Sequence, residues 1–108
     1  MKQIPPSMSI EQALRAGYLG RLVCRPFLDF LKTLPCDTCE AGPPSDPSHF
    51  NGYKGAGTKA PDGMSISQCR RCHDEYEHDG KAWEAKHGPF LLRAAIYMAV
   101  WISDEAER

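Results

Sequence analysis

The chain has little that would carry it to a membrane or across one. No basic start followed by an apolar stretch stands behind Met1, so no secretory signal is read. The longest apolar run, Pro89 to Ile102, is broken by Arg93 and falls short of the roughly 20 residues that a bilayer-spanning helix needs. Net charge is also missing: 13 Lys and Arg against 14 Asp and Glu leave −1. That balance excludes a whole-molecule attraction to nucleic acid and leaves only local patches for such work. There is no internal repeat, and 108 residues allow one domain with one modest core. The expectation is a soluble, cytoplasmic protein without membrane contact.

Cysteine is present where an export signal is not. Five cysteines in such a chain argue against a disulfide scaffold. Four of them form two pairs, Cys36-x-x-Cys39 and Cys69-x-x-Cys72, with 29 residues between, and Cys24 is left over. Two cysteines three apart in a tight turn present both sulfurs to one point, so two such pairs can converge on a tetrahedral Zn²⁺. Two redox pairs or unrelated buried thiols are the competing readings. A redox pair wants a thioredoxin-like βαβ setting, which the sequence lacks. One structural zinc shared by Cys36, Cys39, Cys69 and Cys72 is therefore expected. Four thiolates leave no open position, so this ion folds the chain and does no chemistry.

Helical patterns flank the cysteines. Ser9 and Gln12 stand at capping-box positions of a first helix over "SIEQALRAGYLG". In "RPFLDFLKTLP" Pro26 suits a first turn, Pro35 is a stop, and Phe27, Leu28, Phe30, Leu31 and Leu34 supply apolar surface. The centre is turn-rich, with short strands expected around "SHF" and "GMSISQ". "RRCHDEYEHDGKAWEAKHG" reads as helix broken at Gly80, and a further helix runs from Pro89 to about Glu105. That last helix has almost no polar face, so it is expected to bury itself in a core or against a partner, a second copy of the chain included. Trp83 and Trp101 read as core anchors, and His87 as a helix C-terminal residue before Gly88.

The segment between the pairs is polar and glycine-rich, and a shared zinc would loop it out beside the helix that follows Cys72. His49 can then approach His73, with Asp62 close enough to join them. Two histidines and an aspartate around one point suit a hard divalent ion plus a general base. His73 could equally support the zinc thiolates. Arg70 and Arg71 are either a solvated knuckle tip or phosphate contacts, His78 is a phosphate contact or solvated, and Asp46 opens an Asp-Pro turn, with ligation of an ion as the lesser reading.

These residues form a string: Leu34-Pro35-Cys36 with Cys39, Asp46-Pro47-Ser48-His49, Gly55, Gly57-Thr58-Lys59 with Asp62, then Cys69, Cys72 and His73. The string resembles the zinc-containing HNH endonucleases of the ββα-metal fold. Within them it looks closest to small phage and prophage nuclease-like proteins and the phage recombination-enhancement nucleases. The resemblance covers residues 26–88. It implies a small α+β fold, with a ββα-metal (HNH-like) core on the four-cysteine zinc site and helices at either end. Residues 1–25 would be an N-terminal extension and 89–108 a C-terminal helix for packing or dimerisation.

By position, the resemblance makes His49 the general base and Asp62 and His73 ligands of a catalytic Mg²⁺ or Mn²⁺. Ser48 stands where the wider pattern has a metal-binding Asp or His, and Met64 where it has Asn. The glycine-rich loop becomes the phosphate face, with Lys54 and Lys59, and with Arg70 and Arg71, neutralising DNA. The implied function is a metal-dependent DNA endonuclease of phage or prophage DNA processing, acting in a bacterial or infected cell, with a recombination protein as a further partner. The alternative is a zinc-stabilised DNA-binding or recombination-accessory module without catalysis.

Overall fold

The computed structural model describes residues 6–9, 12, 23–52 and 60–107. At the N-terminus the Ser9 hydroxyl accepts from the Gln12 amide at 3.1 Å, and the Gln12 side chain accepts from the Ser9 amide at 2.9 Å. That is the reciprocal pattern of a capping box. The rest of the expected first helix lies outside the described residues, as do Lys54, Gly55, Gly57, Thr58 and Lys59 of the central loop.

Among the described residues four helices and two strands form a small α+β fold: α1 (Arg25–Lys32), β1 (Asp46–His49), β2 (Ser65–Gln68), α2 (Arg70–His78), α3 (Gly80–His87) and α4 (Phe90–Ala106). Pro26 lies in the first turn of α1, where its missing N–H costs nothing, and Phe27 and Leu31, four apart, are both fully buried. The chain leaves α1 through Thr33, whose hydroxyl donates to the Phe30 carbonyl at 2.7 Å. The strands pair antiparallel with Asp46 opposite Gln68 and His49 opposite Ser65, and one further bond from the Phe50 amide to the Met64 carbonyl extends the hairpin at 2.9 Å.

The helix pattern breaks at Gly80 as the sequence suggests, because Asp79 caps α3 by accepting from the Ala82 amide at 3.0 Å. Asn51 packs against this junction. Its amide donates to the Tyr76 hydroxyl and its side-chain nitrogen to the Tyr76 carbonyl, both at 3.0 Å. A Cβ on Gly80 would lie 2.7 Å from the Asn51 side-chain oxygen, so a side chain there would push the Asn51 amide off its bond to Tyr76.

One core holds these pieces: Ile66, Tyr76, Trp83, Phe90 and Ala94, with Phe50 and Tyr97 against it. Tyr76 stacks on Phe90 with centroids 4.2 Å apart and meets Trp83 edge-on at 5.2 Å. Trp83 is a core anchor as expected. Trp101 is half-buried, tilted onto Phe27 at 5.6 Å. Of the two fates expected for the long helix, burial in this chain's own core accounts for one side only. Only Phe90 and Ala94 of α4 are buried, while Leu92, Ile96, Val100 and Ile102 stand in solvent. A core this small covers one side of a 17-residue helix and no more. Among the described residues no helix is long and apolar enough to cross a membrane.

Candidate metal centre and histidine sites

The two cysteine pairs meet. The sulfurs of Cys36, Cys39, Cys69 and Cys72 all lie within 4.8 Å of one another, with Cys39 and Cys69 3.6 Å apart. Four thiolates at about 2.3 Å from one tetrahedral Zn²⁺ would stand about 3.8 Å from each other, so the donor set fits that ion in both chemistry and size. The first pair is shaped by a knuckle: the Cys36 amide donates to the Ala41 carbonyl, the Glu40 amide to the Cys36 carbonyl, and the Cys39 amide to the Cys36 sulfur. Glu40 takes the left-handed conformation, φ 64°, that closes the turn. The second pair opens α2, with Cys69 as its N-cap residue and Cys72 in its first turn.

The thiols are not equivalent. The Ala41 backbone hydrogen bond, helped by the neighbouring sulfurs, holds exposed Cys39 down to about 7, while burial pushes Cys72 up. Arg71 lies against this cluster, its guanidinium held above its usual range first by the Cys72 charge and then by a hydrogen bond to Cys39. Its place is beside the thiolates.

His49 ends β1 and points to the sheet face opposite α2. Its Nε2 lies 2.8 Å from Asp62 Oδ1, and both side chains are largely buried. The other Asp62 oxygen accepts from the Cys24 amide at 2.8 Å. In its carboxylate form Asp62 can only accept, so His49 Nε2 is the donor in this bond.

His73 lies elsewhere. Successive strand residues alternate faces, so Asp46 and Ser48 look toward α2 while Pro47 and His49 look away. Asp46 Oδ2 reaches His73 Nδ1 at 3.2 Å and Arg70 Nη2 at 2.6 Å, and Arg70 Nη2 also contacts His73 Nδ1. Glu77, one turn on, comes within 3.5 Å of His73 Nε2. The structure thus splits the expected trio: His49 with Asp62 on one face, His73 with Asp46 on the other. Among the described residues the four cysteines are the only group of three or more such side chains close enough to share an ion. Asp46, which reads as a turn opener, starts a strand instead. Its signal was the two-residue spacing to Ser48, which puts both on the helix-facing side. Ser48 itself is fully buried.

Asp37 also escaped the sequence reading. It lies between Cys36 and Cys39, nearly buried, with its amide donating to the Ser67 carbonyl at 2.9 Å. Its Oδ1 accepts from Arg93 Nη2 at 2.6 Å and from the Tyr97 hydroxyl at 2.5 Å. Arg93, the one charge inside the apolar run, therefore fastens α4 to the knuckle.

A model of the family described as "Protein of unknown function (DUF968)" matches residues 9–102. A curated relative, "Uncharacterized protein YdfU" of Escherichia coli (strain K12), is 39% identical over 85 residues, covering 77% of this chain and 24% of the relative. The chain thus spans about a quarter of the length of that relative. No solved structure matches significantly.

Proposed function

We propose that the chain, which belongs to the DUF968 family of proteins of unknown function, is a metal-dependent endonuclease that hydrolyses phosphodiesters in DNA. The observation that carries this reading is the His49–Asp62 pair, 2.8 Å apart, at the end of a hairpin anchored to a four-cysteine centre and continued by a helix bearing His73. An imidazole with one nitrogen held by a carboxylate and the other kept as an acceptor has the form of a general base. The strand–strand–helix order with histidines at these points supports the ββα-metal resemblance of the sequence.

In this reading His49 Nδ1 takes a proton from the attacking water. The water oxygen bonds to phosphorus, the bond from phosphorus to the leaving sugar oxygen breaks, and the proton rests on the imidazole. Asp62 orients the ring and stabilises the imidazolium, a role that replaces its expected one as an ion ligand. Asp46 and His73, an oxygen and a nitrogen donor on the helix-facing side, would hold Mg²⁺ or Mn²⁺ in place of the Arg70 guanidinium. That ion, when bound, supplies positive charge for the phosphate and the leaving oxygen. Lys54 and Lys59 supply counter-charge for the DNA backbone.

One observation favours the second reading, a DNA-binding module without catalysis: Arg70 already puts a cation on Asp46, at 2.6 Å. Plasmid nicking by the zinc-loaded chain separates the two. The nuclease reading requires relaxed product with Mg²⁺ or Mn²⁺ and none with EDTA. Salt-sensitive DNA binding without cleavage under every ion would replace it with the second.

A further inference from the structure

α4 carries a second apolar side that no part of the core uses. Leu92, Ala95, Ala99, Ile102 and Ala106 are all exposed, with Leu92 at 59% and Ile102 at 54%. Their spacing is three, four, three, four, the period of a helix seam that meets another helix along its length. The two central alanines let a facing backbone come close, and leucine and isoleucine near the ends provide the apolar bulk.

We infer that this seam is the contact between two copies of the chain, α4 against α4 in antiparallel order. In that order Leu92 of each copy faces Ile102 of the other, and Ala95 faces Ala99, so large residues meet at both ends and small ones in the middle. Charge favours the same order. Asp104, Glu105 and Glu107 crowd the C-terminal end of α4. Antiparallel packing keeps the two acidic ends apart and sets each beside the positive end of the other helix dipole. An anionic lipid surface would be repelled by the same three acids.

This contact stands whether or not the chain cuts DNA.

Sedimentation equilibrium of the zinc-loaded full chain tests it with three proteins. The wild type should have twice the chain mass at micromolar concentration. Ala95→Glu/Ala99→Glu and Ala95→Lys/Ala99→Lys should each be monomeric with wild-type zinc content, and mixing them should restore the doubled mass, because Glu then faces Lys. A wild type that is monomeric up to millimolar concentration overturns the proposal, whatever the variants do. So do charged variants that stay dimeric. Charged variants that are monomeric but melt far below a monomeric wild type would show that the chain covers this face itself, which also overturns it.

Discussion

Asp37 is a buried carboxylate inside a metal knuckle, and it accepts from Arg93 and Tyr97 of a helix more than fifty residues away. A carboxylate so placed is stable only while its donors stay, since a buried acceptor without partners bears its full desolvation cost. Asp37→Asn keeps the shape but removes the charge that Arg93 answers. The expected loss is about 1–3 kcal/mol of stability, at the low end because Arg93 is 40% exposed and solvent screens it. Zinc content should be unchanged. Urea denaturation followed by tryptophan emission, which Trp101 on α4 reports, would show the loss. An unchanged midpoint would mean that the knuckle does not hold α4. In the sequence Asp37 was only one of the two residues between Cys36 and Cys39, and Arg93 only an interruption of an apolar run. Nothing local marks a pair made by folding.

At the scale of elements, α2 meets α4 where Tyr76 stacks on Phe90, and the hydroxyls of Tyr76 and of Tyr97 on α4 are both drawn into the protein, to Asn51 and Asp37. Burial, first, pushes both Tyr76 and Tyr97 above the usual phenol range, and the Asp37 charge adds to it at Tyr97. A phenol whose folded pKa is raised contributes stability that is complete below its unfolded value, about 10. That stability is lost as pH rises from there through the folded value. Stability should therefore fall above about pH 10, and Tyr97→Phe should flatten part of the fall. Urea midpoints between pH 8 and 11 would test this; an equal slope in wild type and variant would place the alkaline loss elsewhere.

The helices themselves were legible, because their boundaries are written in residues with local consequences: Pro26 in a first turn, Pro35 as a stop, Gly80 at a break and Pro89 before α4. The strands were legible as short runs on either side of the loop. The faces of β1 were not read. Asp46-Pro47 looks like a turn, and only the pairing with Gln68 and Ser67 fixes it as a strand and sends Asp46 toward His73. The outer side of α4 was legible only as a choice: an all-apolar helix points to burial in a core or against a partner, and how much core is available to bury it is a property of the whole molecule.

At that scale the four cysteines join α1's end, the hairpin and the start of α2, so an ion held there would make metal binding and folding one equilibrium. Cys36→Ser should lose the ion and with it the knuckle, seen as zinc absent by elemental analysis and a collapsed or strongly lowered melting transition. Folded wild-type protein without zinc, or Cys36→Ser with unchanged melting, would contradict the structural role. The hairpin that this centre anchors presents His49, which is not one of the four clustered cysteines and whose partner is Asp62.

Plasmid nicking by His49→Ala beside the wild type, with Mg²⁺ and with Mn²⁺, reaches the catalytic reading most directly. Removing a general base should slow cleavage by roughly 10²–10⁴-fold, with zinc content and DNA affinity nearly intact, a stability loss on melting of only about 1–3 kcal/mol from the lost bond to Asp62, and no rescue by added metal. Asp46→Ala and His73→Ala should instead weaken the response to the divalent ion, and extra Mn²⁺ should restore part of it. Cleavage by His49→Ala at the wild-type rate would contradict the assignment of the base, and a wild type that never cuts would contradict the nuclease itself.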